Sequence, residues 1–187
     1  MFPGTGWLYL VWETYSMMHG IPFDKMKIIF EEIKFLRATS MQKNQDILIT
    51  ITIHRGTALK KIFFYYFEIK HFIPASGKFE IIEGKSGIAE GTIKHVENYS
   101  PSDITPPEKE NATFLQEADF YKEMRLRGYY HRKLFRAVKE IREDGLTGKI
   151  KWNSDWTTFM DCLIQFQVLL KDTRMLILPT SIRKVSD

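Results

Sequence analysis

The chain has 187 residues, of which 44% are hydrophobic and 27% are charged, so its composition is that of a globular protein rather than a disordered one. The formal net charge is only +4 and the basic residues are scattered, which argues against a nucleic-acid-binding surface. The uncharged stretch at residues 1–12 is too short to span a bilayer, and no basic residue precedes it as in a signal peptide. The single cysteine excludes an internal disulfide and favours a reducing, cytoplasmic setting.

Two segments, 4–18 and 156–170, have the pattern of helices that are apolar almost all round, and such helices pack inside a domain. Gly20 and Pro22 provide a stop after the first helix, and the polar residues at 153–155 can cap the second. The other predicted elements are strands, with one short charged helix at 116–127. The strands are predicted at 25–36, 46–54, 78–83, 87–96, 134–141, 148–152 and 175–182.

A proline-rich polar stretch at 98–113 divides the chain into an N-terminal half, 1–97, and a C-terminal half, 114–187. Each half has one apolar helix and several strands, so we expect an α+β fold in which a sheet wraps each helix. The first helix has no strand before it, and the second half stops soon after the strand that follows its helix. The pattern therefore predicts a domain that is truncated at both ends.

Asp161 and Gln165 are four residues apart, so they share one face of the second apolar helix. Burial among apolar neighbours raises the pKa of a carboxyl group, and a raised pKa suits a general acid. The alternative is a structural role, in which the buried carboxylate is hydrogen-bonded to backbone. The residues alone leave both interpretations open.

The remaining motifs favour structural interpretations. The glycines at 2–6 lack the Lys-Ser/Thr of a phosphate loop and suit a turn at a helix start. The five histidines show neither metal-ligand spacing nor a nucleophile motif. The basic stretch at 122–136 is typical of a solvated face, although it could contact an acidic partner.

Several segments resemble the dehydratase region of animal-type fatty acid synthases and their polyketide synthase relatives. FPGTGWLYLVWE at 2–13 resembles the end of a His-x3-Gly-x4-Pro signature, with Pro3 as its last residue. WNSDWTTFMDCLIQFQVLL at 152–170 is similar to a second signature, which ends in Asp-x3-Gln or Asp-x3-His and is matched by Asp161 and Gln165. Shorter matches are FLRAT at 35–39, GYYHRKLFRAVKE at 128–140 and LPTSIRK at 178–184. The resemblance covers nearly the whole chain and is strongest to arthropod type I fatty acid synthase.

The resemblance implies a double hotdog, in which two curled antiparallel sheets each surround a central helix. It also implies removal of water from a 3-hydroxyacyl chain on acyl carrier protein, giving a 2-enoyl thioester. A histidine of the first half would take the C2 proton, Asp161 would protonate the leaving hydroxyl, and Gln165 would orient it. The implied substrate-binding residues are Pro3, Gly4, Tyr129 and Phe135.

The resemblance implies no cofactor or metal for this region, whereas the parent synthase uses NADPH and a phosphopantetheine on its carrier protein. The implied partners are the acyl carrier protein domain, its acyl thioester and the other domains of a cytoplasmic, homodimeric parent, with no nucleic acid and no membrane. Two other functions stay open, a non-catalytic double-hotdog scaffold and an acyl-carrier or lipid-binding fragment.

The chain departs from the family pattern at three places. The general-base histidine would lie nine positions before Pro3, ahead of Met1, so we expect the chain alone to be inactive. His131, Arg132 and Lys133 replace the family's Tyr-Gly-Pro. The segment 58–76 has no family counterpart and is either a translated intron or an inserted hairpin.

Overall fold

The structure is a computed structural model that describes residues 2–40, 47–55, 76–96, 112–171 and 175–186. Within these ranges the chain is α+β with antiparallel sheets, which confirms the predicted class. Two compact units are present: Met1–Ser100 with Pro179–Asp187, and Pro101–Leu178. Most of the predicted linker at 98–113 falls outside the described residues. Among the helices described, none combines the length and the hydropathy needed to cross a bilayer.

The elements follow the predicted order, apart from one short strand at Phe114–Gln116 that was not predicted. Two short 3-10 turns, Phe23–Lys25 and Lys133–Phe135, precede strands. The helices and strands are α1 (Gly4–His19), β1 (Ile28–Phe35), β2 (Ile49–Arg55), β3 (Ser76–Glu83), β4 (Ser86–His95), β5 (Phe114–Gln116), α2 (Glu117–Leu126), β6 (Val138–Arg142), β7 (Gly148–Ile150), α3 (Trp156–Leu169) and β8 (Ser181–Ser186).

The first unit contains a five-stranded antiparallel sheet in the order β2-β3-β4-β1-β8. Side chains alternate between the two faces of its strands, so Phe30, Phe79 and Ile93 share the buried face. The rings of Phe30 and Phe79 meet edge to face, with their centroids 5.9 Å apart. This face and the buried side of α1 supply the apolar core of the unit.

Helix α1 is buried along one side rather than all round. Its fully buried apolar side chains are Trp7, Leu8, Val11, Trp12 and Tyr15. Met17 is 66% exposed, so the prediction of burial on every side was too broad. The indole N–H of Trp12 donates to the carbonyl of Met26, 3.2 Å away, and ties the helix to the start of β1. Gly20 ends the helix in the left-handed conformation at φ 66°.

Strand β8 differs from its predicted position. We predicted a strand at 175–182 within the C-terminal half, but it begins at Ser181 and pairs with β1 of the first unit. In this register Val185 lies opposite Phe30, and Ile182 lies opposite Ile33. The pairing satisfies the backbone groups on the edge of β1 that β4 leaves open. The second compact unit ends at Leu178, and Pro179–Asp187 group with the first unit.

The register of β2 and β3 bears on the unusual segment at 58–76. Arg55 lies directly opposite Gly77 in this antiparallel pair. Residues 58–75 of that segment lie outside the described residues. If 58–76 were removed, only Gly56 and Thr57 would connect the two strands, which is the length of a two-residue hairpin turn.

The second unit contains a three-stranded antiparallel sheet, β5-β6-β7, together with α2 and α3. Strand β5 was not predicted, and β6 begins at Val138 rather than at residue 134 because a 3-10 turn precedes it. Leu163 is 39% exposed, so α3 is also buried on one side rather than all round. The core of the unit is formed by Phe120, Tyr121, Met124, Ala137, Val138, Ile141, Cys162, Phe166 and Val168.

Candidate active site on helix α3

Helix α3 begins with a well-formed cap, as its sequence predicts. The side chain of Asp155 accepts a hydrogen bond of 2.7 Å from the backbone N–H of Thr158. The Thr158 hydroxyl in turn donates to the side-chain oxygen of Asn153 at 3.0 Å. The first of these bonds satisfies one orphan N–H group of the first turn, and both help to fix where the helix starts. The start of the helix determines which of the residues that follow lie on the same face.

Asp161 and Gln165 lie on the same face of α3 and are in contact. The amide nitrogen Nε2 of Gln165 donates to Oδ2 of Asp161 over 2.9 Å. Burial raises the pKa of the Asp161 carboxyl, and the hydrogen bond from Gln165 opposes part of that rise. Asp161 therefore holds its proton to a higher pH than an exposed aspartic acid, as a general acid must.

Gln165 is only 2% exposed, and its Nε2 also donates to the backbone carbonyl of Phe135 at 3.0 Å. The backbone carbonyl of Phe135 can only accept, so rotating the amide end over end would lose that bond. Its Oε1 is buried and has no hydrogen-bond partner among the described residues. The side chain is thus held in one orientation by two different elements.

The Phe135 carbonyl belongs to the 3-10 turn before β6 and has a second donor. The hydroxyl of Tyr121, on α2, donates to it over 3.3 Å. The same hydroxyl accepts a hydrogen bond of 3.1 Å from the backbone N–H of Val138. Sequence reasoning missed Tyr121, although a tyrosine on the apolar face of a short helix is a signal that its hydroxyl needs a partner.

Tyr129 lies in the same unit, but its hydroxyl is engaged elsewhere. It accepts from the backbone N–H of Ile177 at 2.7 Å and donates to the Ile177 carbonyl. Its ring stacks on His131, with centroids 5.9 Å apart and planes within 3°. The ring is the part of Tyr129 that these hydrogen bonds leave for a substrate contact, and that role stays a prediction.

The departure from the family's Tyr-Gly-Pro has a backbone consequence. Lys133 has φ 53°, a left-handed conformation that the ring of proline excludes. His131 is half-buried, and burial lowers the pKa of its imidazole. Its Nδ1 has no hydrogen-bond partner among the residues that the structure describes. The left-handed backbone at Lys133 means that a chain with the family's proline at this position could not adopt the same turn before β6.

Pro3 and Gly4 lie in the first unit, at the start of α1. Pro3 is the N-cap residue, and its carbonyl accepts from the backbone N–H of Gly6 at 3.0 Å. A Cβ added to Gly4 would lie 3.1 Å from the ring of Phe35, so close packing accounts for a glycine at this position. Their predicted contact with substrate is not tested by this geometry.

Cys162 follows Asp161 in the sequence and is fully buried. Burial raises the pKa of its thiol to about 11, so it stays protonated and is a poor nucleophile near neutral pH. Within the described ranges, no three His, Cys, Asp or Glu side chains lie together as a metal site requires. At α3, the described contacts bring together one carboxyl and its amide partner.

No protein-family model matches the sequence. Among solved structures, the chain is similar to the dehydratase domain of the CurF module of curacin polyketide synthase, with 13% identity and a TM-score of 0.64 over 99% of this chain and 68% of that one. The CurK dehydratase domain of the same synthase gives 16% identity and a TM-score of 0.62, over 99% of this chain and 66% of that one. The chain has the hotdog fold of such dehydratase domains.

A third similar structure is the dehydratase domain of PpsC from Mycobacterium tuberculosis in complex with C12:1-CoA. It gives 13% identity and a TM-score of 0.56, over 88% of this chain and 57% of that one. The chain thus spans about two thirds of the CurF and CurK domains and less of PpsC. At these identities the likeness concerns the fold and not the reaction.

Proposed function

We propose that the chain is part of the 3-hydroxyacyl-[acyl-carrier-protein] dehydratase region of a type I fatty acid synthase, with a double hotdog fold. The observation that carries the proposal is the contact between Asp161 and Gln165 on α3, where burial raises the pKa of the carboxyl. The fold supports it, because the similar structures are dehydratase domains. The sequence signatures at 2–13 and 152–170 favour a fatty acid synthase as the parent.

In the proposed reaction, a base removes the proton at C2 of the 3-hydroxyacyl thioester while the C3–O bond breaks. The electrons of the C–H bond form the C2=C3 double bond, and Asp161 transfers its proton to the departing hydroxyl, which leaves as water. Hydroxide is a poor leaving group, so this proton transfer is necessary near neutral pH. CurK dehydratase is described as inactive when a histidine is replaced by phenylalanine or an aspartate by asparagine, which supports one acid and one base.

Gln165 would hold the carboxyl of Asp161 in position through its hydrogen bond. We assign contacts with the acyl chain and its thioester to Pro3 and Gly4 in the first unit and to Tyr129 and Phe135 in the second. The proposed donor of the substrate is an acyl carrier protein domain with its phosphopantetheine arm. PpsC, whose dehydratase domain was solved with an acyl-CoA, supports an acyl thioester as the ligand class.

The wider setting of the proposal is a homodimeric parent in the cytoplasm, with further domains that use NADPH. This region itself would need no cofactor or metal, because proton transfer to a hydroxyl requires only the acid and the base. The resemblance matches the general acid to Asp161, but it matches no residue of this sequence to the general base.

The test compares the chain as printed with a form extended upstream of Met1 by a His-x3-Gly-x4-Pro signature that ends at Pro3. Each protein is given 3-hydroxybutyryl-pantetheine, and the conjugated enoyl thioester is followed by its absorbance. We expect turnover by the extended form and a rate about a hundred- to ten-thousand-fold lower for the chain alone, because the proposal assigns the base to the histidine of the added signature.

Two results would contradict the proposal. Equal turnover by both forms would remove the need for an upstream histidine and defeat its match to the signature. A folded extended form that binds the thioester without producing any enoyl product would instead support a non-catalytic, acyl-binding scaffold. Circular dichroism of both proteins shows whether the extension is folded before the rates are compared.

A further inference from the structure

A continuous path of hydrogen bonds joins α2, the 3-10 turn before β6 and α3 within the second unit. It starts at the backbone N–H of Val138, which donates to the Tyr121 hydroxyl at 3.1 Å. That hydroxyl donates to the Phe135 carbonyl at 3.3 Å. The same carbonyl accepts from Nε2 of Gln165, which also donates to Asp161. Tyr121 is thus linked to Asp161 through one carbonyl and one amide.

The Phe135 carbonyl helps to fix the position of the Gln165 amide. The Gln165 side chain has three rotatable bonds, so a single bond to Asp161 would leave it several positions. The second bond, to a backbone atom on another element, fixes Nε2 between Phe135 and Asp161 at 3.0 and 2.9 Å. The position of this carbonyl depends in turn on what anchors the 3-10 turn.

Tyr121 is well placed to anchor that turn. It is 2% exposed, so water is kept away from its hydroxyl. Burial raises the pKa of Tyr121 above its usual range, and the hydroxyl therefore remains a donor across neutral pH. The guanidinium of Arg136, the residue that follows the turn, lies over the ring, 4.7 Å from its centroid. The hydroxyl bridges the last residue of the turn and the first residue of β6.

We propose that Tyr121 is a positioning residue for Asp161, acting through the Phe135 carbonyl and Gln165. Its hydroxyl fixes the carbonyl, the carbonyl fixes the amide, and the amide fixes the carboxyl that donates the proton. This inference rests on the proposed function only for its relevance to catalysis, since the hydrogen-bonded path exists without a substrate.

The test is the titration of the Asp161 carboxyl by carbon-13 NMR in the chain as printed, with the Asp161→Asn spectrum used for assignment. In Tyr121→Phe, which removes only the hydroxyl, we expect the pKa of Asp161 to rise by about 0.5 to 1. The rise follows because the Gln165 hydrogen bond, which lowers this pKa, is formed less of the time.

Tyr129→Phe is the matched control. Its hydroxyl also accepts from one backbone N–H and donates to one backbone carbonyl in the same unit, but both groups belong to Ile177. We expect the pKa of Asp161 to stay unchanged in this variant. A general loosening of the unit would move the pKa in both variants and would overturn the proposal.

A second variant tests whether Tyr121 acts through Gln165. In Gln165→Met the amide is absent, so we expect a raised pKa of Asp161 and no further change when Tyr121→Phe is added. An additional change of the pKa in the double variant would mean that Tyr121 acts by another route. An unchanged or lowered pKa in the single variant Tyr121→Phe would overturn the proposal outright.

If Tyr121→Phe does not fold, the unmodified chain still tests the part of the path that runs through Gln165. Both protons on Nε2 of Gln165 are engaged in the structure, so we expect two separate side-chain amide signals that exchange slowly with water. Rapid exchange of these protons would contradict the path. These NMR results are independent of turnover, so an inactive enzyme would count against the proposed function and not against this inference.

Discussion

Helices α1 and α3 are alike in their apolar sequence but differ in what their polar side chains bond to. In α1, the hydroxyl of Thr14 donates to the carbonyl of Leu10 and that of Ser16 to the carbonyl of Glu13, so both bonds stay within the helix. In α3, Gln165 bonds to Asp161 and also to a backbone carbonyl on a separate turn. The difference is between hydroxyl groups that bond within their own helix and an amide–carboxyl pair that is also fixed from outside it. The indole N–H of Trp12 bonds outside α1, but it involves no titratable group.

The comparison shows why a buried carboxyl is the informative feature. A hydroxyl that returns to its own helix adds little to packing and has no charge to suppress. A carboxyl on a buried face is costly in its charged form, so its presence calls for a function or a full set of partners. Asp161 has one described hydrogen-bond partner, the amide of Gln165. We therefore expect the acid of the proposed reaction on α3.

The largest expected effect is on turnover in the extended form. Asp161→Asn keeps the size of the side chain but cannot donate a proton to a leaving hydroxyl, so we expect a loss of about a hundred- to ten-thousand-fold. Gln165→Ala removes an orienting hydrogen bond, and we expect about tenfold at most. Ser16→Ala on α1 is the matched buried control, and its rate should stay within about twofold of the wild type.

The rates are measured with 3-hydroxybutyryl-pantetheine after the folding of each variant has been checked. Full turnover by Asp161→Asn would abolish the contrast between the helices and leave Asp161 with a structural role. A loss in Ser16→Ala as large as that in Asp161→Asn would show that the assay reports folding rather than chemistry.

The next effect concerns the first unit, which should tolerate a long deletion. Removing 58–76 leaves Gly56 and Thr57 between Arg55 and Gly77, and a two-residue turn that begins with glycine suits a type II′ hairpin. Shortening the connection favours the folded state by about 2 kcal/mol at most, through loop-closure entropy. The run FFYYF at 63–67 also has the sequence signature of an aggregating segment, so soluble yield should increase.

The deletion is tested by soluble yield and by urea unfolding of the full-length and shortened chains. An equal or higher midpoint, with better yield, supports the interpretation of 58–76 as a dispensable insertion. A clearly lower midpoint would show that the segment packs on the sheet as a true part of the first unit.

A smaller effect is the pH dependence of stability at α3. The pKa of Asp161 is raised in the folded chain, so between the unfolded pKa, about 3.9, and the folded value the native state binds more protons than the unfolded state. Its contribution to stability is therefore lost as the pH rises through that window. A folded pKa that lies one pH unit above the unfolded pKa corresponds to a loss of about 1.4 kcal/mol in the free energy of unfolding. The free energy of unfolding of Asp161→Asn minus that of the wild type should therefore be larger at pH 8 than at pH 4.

Urea unfolding of both proteins at the two pH values measures this change. Ser16→Ala serves again as the control, and its difference from the wild type should be the same at pH 4 and pH 8. A difference between Asp161→Asn and the wild type that does not depend on pH would show that the carboxyl titrates alike in the folded and unfolded chains.

Local features could be predicted from the sequence, and long-range ones could not. The apolar runs and the polar residues at 153–155 located α1 and α3, and the four-residue spacing placed Asp161 beside Gln165. The apolar pattern also predicted strand at residues 134–137, where the structure has the end of a 3-10 turn and the residues that follow it. The pattern contains no information on the left-handed φ of Lys133. The pairing of β8 with β1 and the bonds of Tyr121 depend on backbone atoms far away in the sequence. The order of side-chain types along the sequence does not show which distant backbone groups become hydrogen-bond partners.

The most direct test of the account is the pKa of Asp161 in the unmodified chain, measured by titration of its carboxyl with carbon-13 NMR. The central claim is that α3 carries a carboxyl that keeps its proton to a higher pH than an exposed aspartic acid while it is held by Gln165. We expect a pKa of Asp161 clearly above the value of about 3.9 for an exposed aspartic acid. A pKa at or below that value would mean that Asp161 is a solvated or fully compensated carboxylate, and it would contradict the assignment of this residue as the acid.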